Sequence, residues 1–313
     1  GKFTFINAKN NTDLEIARSL FKKAYEFQES YIVARVDYAR VSYQLREYEQ
    51  AMKILEDAEA HAKKDNDLRG LVDVHKVFGI IYKSLGKYMQ AIDSLSEALR
   101  IVVGDNGAYD KSEQNIQEGD VLSTLGQCYT QTSNYNKGIS ALKRSIKLGR
   151  AENKITSILV PLSNLGITYK RIGDYAKAIA LQKETIQILK ENNLKLYLGR
   201  TIMNYANLLY YIGKVDEAEK KYLEAIEFCA AFNSLPDLGL IYRHLGLVEL
   251  NKSNPNSAIK YFLKANKTHK EAKHQIAIEP TTMFLAQAYL QNEDLENASK
   301  YIKQAIILTN RRR

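Results

Sequence analysis

The sequence repeats itself at a fixed interval, and this periodicity restricts the fold more than any other feature. Seven related copies follow one another, and five of the six steps between them have the same length. A small residue marks the same position of successive copies, as at Gly126, Gly166, Ala206, Gly246 and Ala286. Fixed-period self-similarity is typical of solenoids, in which each repeat packs only against its neighbours.

Each copy resolves into two amphipathic helices. In residues 157–190, Leu162, Leu165 and Tyr169 recur at steps of three and four residues, which is the period of a helix. Gly173 is expected to adopt a positive φ and end the first helix. A second helix with small inward residues then follows.

Local signals predict where the helices begin and end. Ser157 is expected to cap the first helix of the fourth copy. Asn192 and Asn193 are expected to interrupt the chain before the fifth copy. All four prolines are predicted at helix starts or turns, where a missing N–H is tolerated; they are Pro161, Pro236, Pro255 and Pro280.

The pattern resembles the tetratricopeptide repeat (TPR) family over residues 31–305. The matching features are the Leu-Gly pair, the Tyr three positions later, the Gly-x-Tyr turn and the small residues of the second helix. The chain lacks the family's early Trp and its terminating Pro, and the missing Pro lets the second helix run on to give the 40-residue period. This long-period variety resembles Pins-type adaptors and the bacterial peptide-sensing regulators of the Rap and PlcR kind.

The resemblance implies an all-α fold, a right-handed superhelical solenoid of helix-turn-helix repeats with a concave groove lined by first helices. We expect an N-terminal half-repeat or capping helix over residues 1–30, one array over 31–310, and a tail or truncated linker at 311–313. The seven predicted repeats are 31–66, 71–103, 118–150, 157–191, 197–231, 237–270 and 277–310. Gly1 in place of a starting Met and the Arg311–Arg313 tail suggest a piece excised from a larger protein.

One step between copies, from Gly79 to Gly126, is longer than the others. The extra residues fall within 104–117, whose composition predicts a surface loop that leans over the groove or lengthens a helix. Asp105, Asn106 and Asp110 lack the spacing of a calcium loop, so we predict no metal site there.

Composition and charge restrict the class of partner. No apolar run approaches the length of a membrane span, and Cys128 and Cys229 predict buried thiols rather than a disulfide framework. The expected location is therefore cytoplasmic. The net charge is +9, and six lysines in residues 252–273 favour an alternative function, a helical repeat that binds nucleic acid. The aromatic residues do not interleave with these lysines, which argues against nucleic acid as the partner.

The residue pattern offers no catalytic machinery. The glycines recur with the repeat, and the five histidines lack the spacing of a zinc site. We therefore predict no enzyme activity, no cofactor and no metal.

The predicted groove has a definite chemical character. Amides can bond an extended peptide backbone, cations can pair with carboxylates, and tyrosines offer flat apolar area with a polar tip. The sequence thus predicts a protein or peptide partner, an extended or acidic peptide in particular, with self-association through terminal repeats as a further expectation. The predicted contact residues are Lys83, Gln127, Asn164, Lys170, Arg171, Asn204, Asn207, Tyr210, Tyr211 and Arg243, with Asn204, Asn207 and Arg243 as the favoured set.

Overall fold

The computed structural model describes Phe5 and residues 11–28, 31–104 and 107–310. These residues form a succession of α-helices, and none of them lies in a strand. Residues 105, 106 and 311–313 of the sequence predictions, and residues 1–4, 6–10, 29 and 30 of the predicted N-terminal half-repeat, lie outside the described residues. The helices are α1 (Asn11–Phe27), α2 (Ile32–Gln44), α3 (Tyr48–Lys64), α4 (Leu68–Ser84), α5 (Tyr88–Val103), α6 (Lys111–Gln131), α7 (Tyr135–Ala151), α8 (Ile155–Arg171), α9 (Tyr175–Glu191), α10 (Lys195–Tyr211), α11 (Val215–Ala231), α12 (Leu235–Asn251), α13 (Pro255–Glu271), α14 (Gln275–Gln291) and α15 (Leu295–Asn310).

Helix and turn lengths account for the 40-residue period. Every helix from α7 to α14 has the same length, 17 residues. A turn of constant length separates each of these helices from the next, as at 152–154 and 172–174. Two such helices and two such turns make one repeat, so the step between copies stays constant. The second helices run as long as the first, as expected for repeats without a terminating proline.

Both kinds of turn contain one residue in the left-handed region. Between the helices of a pair this residue is Gly86, Gly173 or Gly213 in three repeats, with φ between 73° and 82°. The prediction for Gly173 is confirmed. Between consecutive pairs the position is mostly asparagine, which tolerates this conformation better than other side chains; these residues are Asn66, Asn153, Asn193 and Asn233.

The glycine of the Leu-Gly pair makes room for a large side chain on the second helix of the same pair. A Cβ on Gly246 would lie 2.5 Å from Cε1 of Phe262, and a Cβ on Gly126 would lie 2.5 Å from Cγ of Leu142. Contact at that distance is repulsive, so only glycine lets the two helices of the pair approach this closely. The small residue that recurs with the repeat therefore marks the point at which the two helices of a pair pack together.

The proline prediction is partly wrong. Pro236 and Pro255 lie in the first turn of α12 and α13, but Pro161 and Pro280 lie inside α8 and α14. Buried apolar residues precede both of the interior prolines, such as Ile158 before Pro161. Burial of this upstream face extends the helix past the position at which the proline alone would start it.

The cap prediction for Ser157 is also wrong. Ser157 is the third residue of α8, and its Oγ donates a hydrogen bond to the carbonyl of Lys154 over 2.7 Å. Since the helix begins before Ser157, the hydroxyl bonds a carbonyl outside the helix rather than a free N–H of its first turn.

The insertion within residues 104–117 lengthens a helix rather than forming a loop throughout. Helix α6 has 21 residues because it begins at Lys111. Asp110 accepts a hydrogen bond from the backbone N–H of Glu113, and the Glu113 side chain accepts one from the N–H of Asp110. This reciprocal capping box fixes the helix start upstream of the usual repeat position.

The chain divides into two compact units within α8. The N-terminal unit comprises residues 1–168 and the C-terminal unit residues 169–313. In the N-terminal unit the first helices α2, α4 and α6 contact one another in sequence, and in the C-terminal unit α10, α12 and α14 do the same. First helices therefore form one layer in each unit. None of the helices among the described residues has the length and apolar character needed to cross a bilayer.

Candidate functional site

A buried tyrosine lies at the centre of a polar cluster in the C-terminal unit. Tyr222 of α11 occupies the position that holds Leu95, Leu142 or Phe262 in other repeats, and its side chain is fully buried. Its hydroxyl donates a hydrogen bond to Oδ1 of Asn207 on α10 over 2.7 Å. Burial raises the pKa of Tyr222, so the phenol keeps its proton and acts as a donor.

His244 of α12 stacks on Tyr222. The two rings are parallel within 5°, with centroids 5.5 Å apart. Burial, assisted by the positive charges of Arg243 and Lys170, lowers the pKa of His244 to about 4. The imidazole is therefore neutral at pH 7, and its Nδ1 is buried without a hydrogen-bond partner among the described residues.

Arg243 lies beside this stack and has no acidic partner among the described residues. Burial lowers the pKa of its guanidinium. Its Nε is buried and unbonded within the part of the chain that the structure describes. A half-buried cation without a counter-charge favours the approach of an anion, because the cost of its desolvation has already been met in folding.

Lys170 and two tyrosines extend the cluster. The Lys170 ammonium lies 4.0 Å from the centroid of the Tyr211 ring, a cation–π contact. The Tyr211 side chain is 58% exposed, so its ring can also meet a ligand. Tyr210 donates a hydrogen bond of 3.4 Å to the carbonyl of Leu247 and thereby links α10 to α12.

The structure therefore gathers part of the predicted set around Tyr222 and His244. Asn207 bonds Tyr222, and Arg243 and Lys170 both act on the pKa of His244. Asn204 lies half-buried on α10, one turn before Asn207, and Arg171 lies exposed at the end of α8. We call the cluster of Lys170, Asn207, Tyr211, Tyr222, Arg243 and His244 the cationic cluster.

Three predicted residues belong to the N-terminal unit. Lys83 of α4 donates a hydrogen bond to Oε1 of Gln127 on α6 over 2.8 Å, and burial lowers the pKa of the lysine. Asn164 of α8 is buried, which leaves little of its amide to contact a ligand. Each of these residues remains a predicted contact.

Sequence reasoning missed the residue that organises the cationic cluster. Tyr222 holds the same offset from Ala206 as Phe262 holds from Gly246, and the same position holds Leu95 and Leu142 in two other repeats and the polar Gln182 in the fourth. A tyrosine at a position that several other repeats fill with leucine or phenylalanine was the signal available in the sequence.

The basic stretch 252–273 is partly engaged within the C-terminal unit. Lys252 forms ion pairs with Asp216 at 2.8 Å and Glu219 at 2.6 Å. The Lys264 ammonium lies 4.2 Å from the centroid of the Tyr242 ring. These contacts use two of the six lysines that suggested nucleic-acid binding.

Among the described residues, no three or more His, Cys, Asp and Glu side chains are grouped so that they could hold a metal ion. Cys128 and Cys229 are both buried free thiols, and burial raises the pKa of each to about 11. The thiols are therefore protonated at neutral pH, in a form that neither binds metal well nor attacks a substrate.

Paired helices with a shared packing contact define a helical-repeat protein, in which the first helices of each unit form a common layer. Family models described as tetratricopeptide repeat match residues 11–73, 117–191 and 283–309. The chain belongs to the tetratricopeptide repeat family. No curated protein matches its sequence.

Solved structures share the fold at low sequence identity. A signal transduction ATPase with numerous domains and a tetratricopeptide repeat sensor, from Pyrococcus horikoshii, is 15% identical with a TM-score of 0.68, over 99% of this chain and 45% of that chain. The apo form of RapI is 12% identical with a TM-score of 0.65, over 89% of this chain and 97% of that chain. A Rap protein complexed with competence and sporulation factor is 15% identical with a TM-score of 0.59, over 99% of this chain and 90% of that chain.

Proposed function

We propose that this chain is a peptide-binding scaffold whose cationic cluster recognises a carboxylate of an extended, acidic peptide. The single observation that carries the proposal is Arg243, a half-buried guanidinium without an acidic partner in the described part of the chain. A carboxylate from a ligand would satisfy this charge by a charge-assisted hydrogen bond.

The neighbours of Arg243 suit a polypeptide more than an inorganic ion. Asn207 retains amide donors while its Oδ1 accepts from Tyr222, and such donors match backbone carbonyls. Tyr211 presents an exposed ring beside Lys170, which can cover an apolar side chain. The cluster thus combines one charge-specific group with groups that bind any extended chain.

We further propose that the chain acts as the sensing or adaptor segment of a regulatory protein. The resemblance to peptide-sensing regulators motivates this part of the proposal. One structural neighbour is a signal transduction ATPase with a tetratricopeptide repeat sensor, and another is a Rap protein complexed with competence and sporulation factor. Because many functions share this fold, the neighbours support the proposal only by analogy.

The test is a titration of the full chain with a library of short acidic peptides of fixed length, alongside the same peptides with Asn and Gln in place of Asp and Glu. We expect the acidic peptides to bind and the neutral set to lose roughly tenfold or more in affinity. Arg243→Gln should cause a loss of similar size.

The matched control is Lys260→Gln, which removes the same charge from an exposed position of α13 in the same unit. At physiological salt this change should leave affinity nearly unchanged, because distant exposed charges are screened. Equal effects of the two substitutions, or equal binding of acidic and neutral peptides, would overturn the carboxylate proposal.

The structure does not favour nucleic acid as a second function. Lys252 and Lys264 of the basic stretch are engaged within the C-terminal unit, and no contact among the described residues singles out the remaining lysines.

A further inference from the structure

A cavity of about 330 Å³ opens in the N-terminal unit between the first helices α4, α6 and α8. All of its lining residues belong to the N-terminal unit, whereas the residues of the cationic cluster all belong to the C-terminal unit. Ligand pockets in proteins begin at roughly 300 Å³, and an apolar cavity of about 150 Å³ is enough to hold benzene. The cavity can therefore accept one large side chain together with part of its backbone.

The lining combines apolar side chains with hydroxyl groups. Leu95 of α5 is buried, Ile80 of α4 is half-buried, and Val160 of α8 contributes a side chain that is 61% exposed. Ser123 of α6 and Thr156 of α8 add hydroxyl groups. This combination fits an apolar side chain, with hydroxyls available to the amide groups on either side of it.

The charges at the cavity are already balanced. Lys76 donates a hydrogen bond to Oε1 of Gln117 over 2.7 Å, and its ammonium lies 3.8 Å from Oδ2 of Asp120. Since the cation and the carboxylate compensate each other, the cavity does not select a charged group as the cationic cluster does.

We propose that this cavity is a pocket for one large apolar residue of a peptide ligand, a leucine or a phenylalanine in chemical type. The inference rests on the proposed peptide-binding function and adds a second element of specificity to it. The cationic cluster selects for charge, and this pocket selects for apolar volume.

The test uses the full chain with labelled Ile, Leu and Val methyl groups and three neutral probes, N-acetyl-leucine amide, N-acetyl-phenylalanine amide and N-acetyl-alanine amide. The first two should shift the methyl resonances of Ile80, Leu95 and Val160 saturably in NMR titrations. The alanine probe should give little shift at the same concentration, because it leaves most of the cavity unfilled.

Two substitutions on α8 provide a matched pair. Val160→Glu places a carboxylate at the cavity and should weaken the leucine and phenylalanine probes by roughly tenfold or more. Ile167→Glu makes the same kind of change two turns along the helix, at an exposed position outside the cavity lining, and should leave probe binding unchanged. Both wild-type side chains are exposed, so neither change should unfold the chain.

The outcomes separate this inference from the proposed function. An absence of saturable shifts, or equal losses in the two α8 variants, would overturn the pocket while leaving carboxylate recognition by Arg243 intact. The opposite result is that the leucine and phenylalanine probes bind saturably to the wild-type chain and to Arg243→Gln, while the chain binds no acidic peptide. That result would support the pocket and reject the proposed function.

Discussion

The hydroxyl of Tyr222 donates a hydrogen bond to Oδ1 of Asn207 over 2.7 Å, and this bond joins α11, the second helix of a repeat, to α10, its first helix. At the same position other repeats carry apolar side chains such as Phe262. Tyr222 therefore fills a packing position and also holds the polar side chain of Asn207 by a hydrogen bond. Because Asn207 has its acceptor engaged, its amide protons remain for a ligand.

Tyr222→Phe should lower the free energy of unfolding by about 0.5–1.5 kcal/mol, the usual net contribution of a neutral hydrogen bond. The measurement is urea unfolding of Tyr222→Phe, Asn207→Ala and the double variant. A double-mutant cycle with a coupling energy near zero would show that the bond contributes nothing to stability.

Gly246→Ala should destabilise the chain, because the new Cβ would lie 2.5 Å from Cε1 of Phe262. The expected loss is about 1–3 kcal/mol, as for other overpacked cores. The control is Gly119→Ala within α6, where the nearest atom to the new Cβ would be 3.7 Å away. In this control the free energy of unfolding should rise by up to about 1 kcal/mol, because alanine favours the helix. Denaturant midpoints that shift in the same direction for the two variants would contradict the packing argument.

Stability should fall in mild acid. Burial lowers the pKa of His244 and of His269 to about 4 from the ordinary value of 6.5. Between pH 6.5 and 4 the unfolded chain therefore binds protons that the folded chain excludes, so the stabilisation is complete above pH 6.5 and is lost as the pH decreases. Each histidine should contribute a slope of up to about 1.4 kcal/mol per pH unit in that window.

The pH experiment measures the free energy of unfolding from pH 7.5 to 4 for the native chain and for His244→Gln. The substitution should make the profile less steep. His61→Gln is the control, since His61 is partly exposed on α3 and bonds the carbonyl of Asp57 within its own helix. An unchanged profile in His244→Gln would contradict the assignment of a buried neutral imidazole.

Asp110→Ala should loosen the start of α6 by removing its half of the capping box. The expected loss is about 1 kcal/mol, with faster amide hydrogen exchange confined to residues 111–117. Lys111→Ala, one position along, leaves the cap intact and should leave exchange in this segment unchanged. Equal exchange in both variants would show that the cap does not hold the inserted turn.

Secondary structure and repeat register were predictable from the sequence because both depend on short-range rules. The steps of three and four residues indicated helices, and the glycine at position 173 indicated a left-handed turn, with φ of 80° in the structure. The positions of Pro161 and Pro280 were not predictable in this way. Local rules placed them at helix starts, whereas burial of the preceding apolar residues carried α8 and α14 past them.

The candidate site was only partly predictable. The repeat offsets placed Arg243 and Asn207 on the first helices, but they gave no information on which charges find partners. The six lysines of residues 252–273 appeared alike in sequence, yet Lys252 is held by two carboxylates. Arg243, a predicted contact residue, has no carboxylate partner in the described residues. Ion pairing depends on side chains from other helices, which a one-dimensional pattern does not register.

The sequence by itself determined the helical repeat, its period and the small residues at which paired helices meet, because each of these follows from contacts between residues close in the chain. The tertiary structure decided which polar groups are desolvated and which are compensated. Burial of Arg243 and His244 and the hydrogen bond from Tyr222 to Asn207 arise only when neighbouring helices exclude water. The free energy of a charge depends on that exclusion as much as on the identity of the residue.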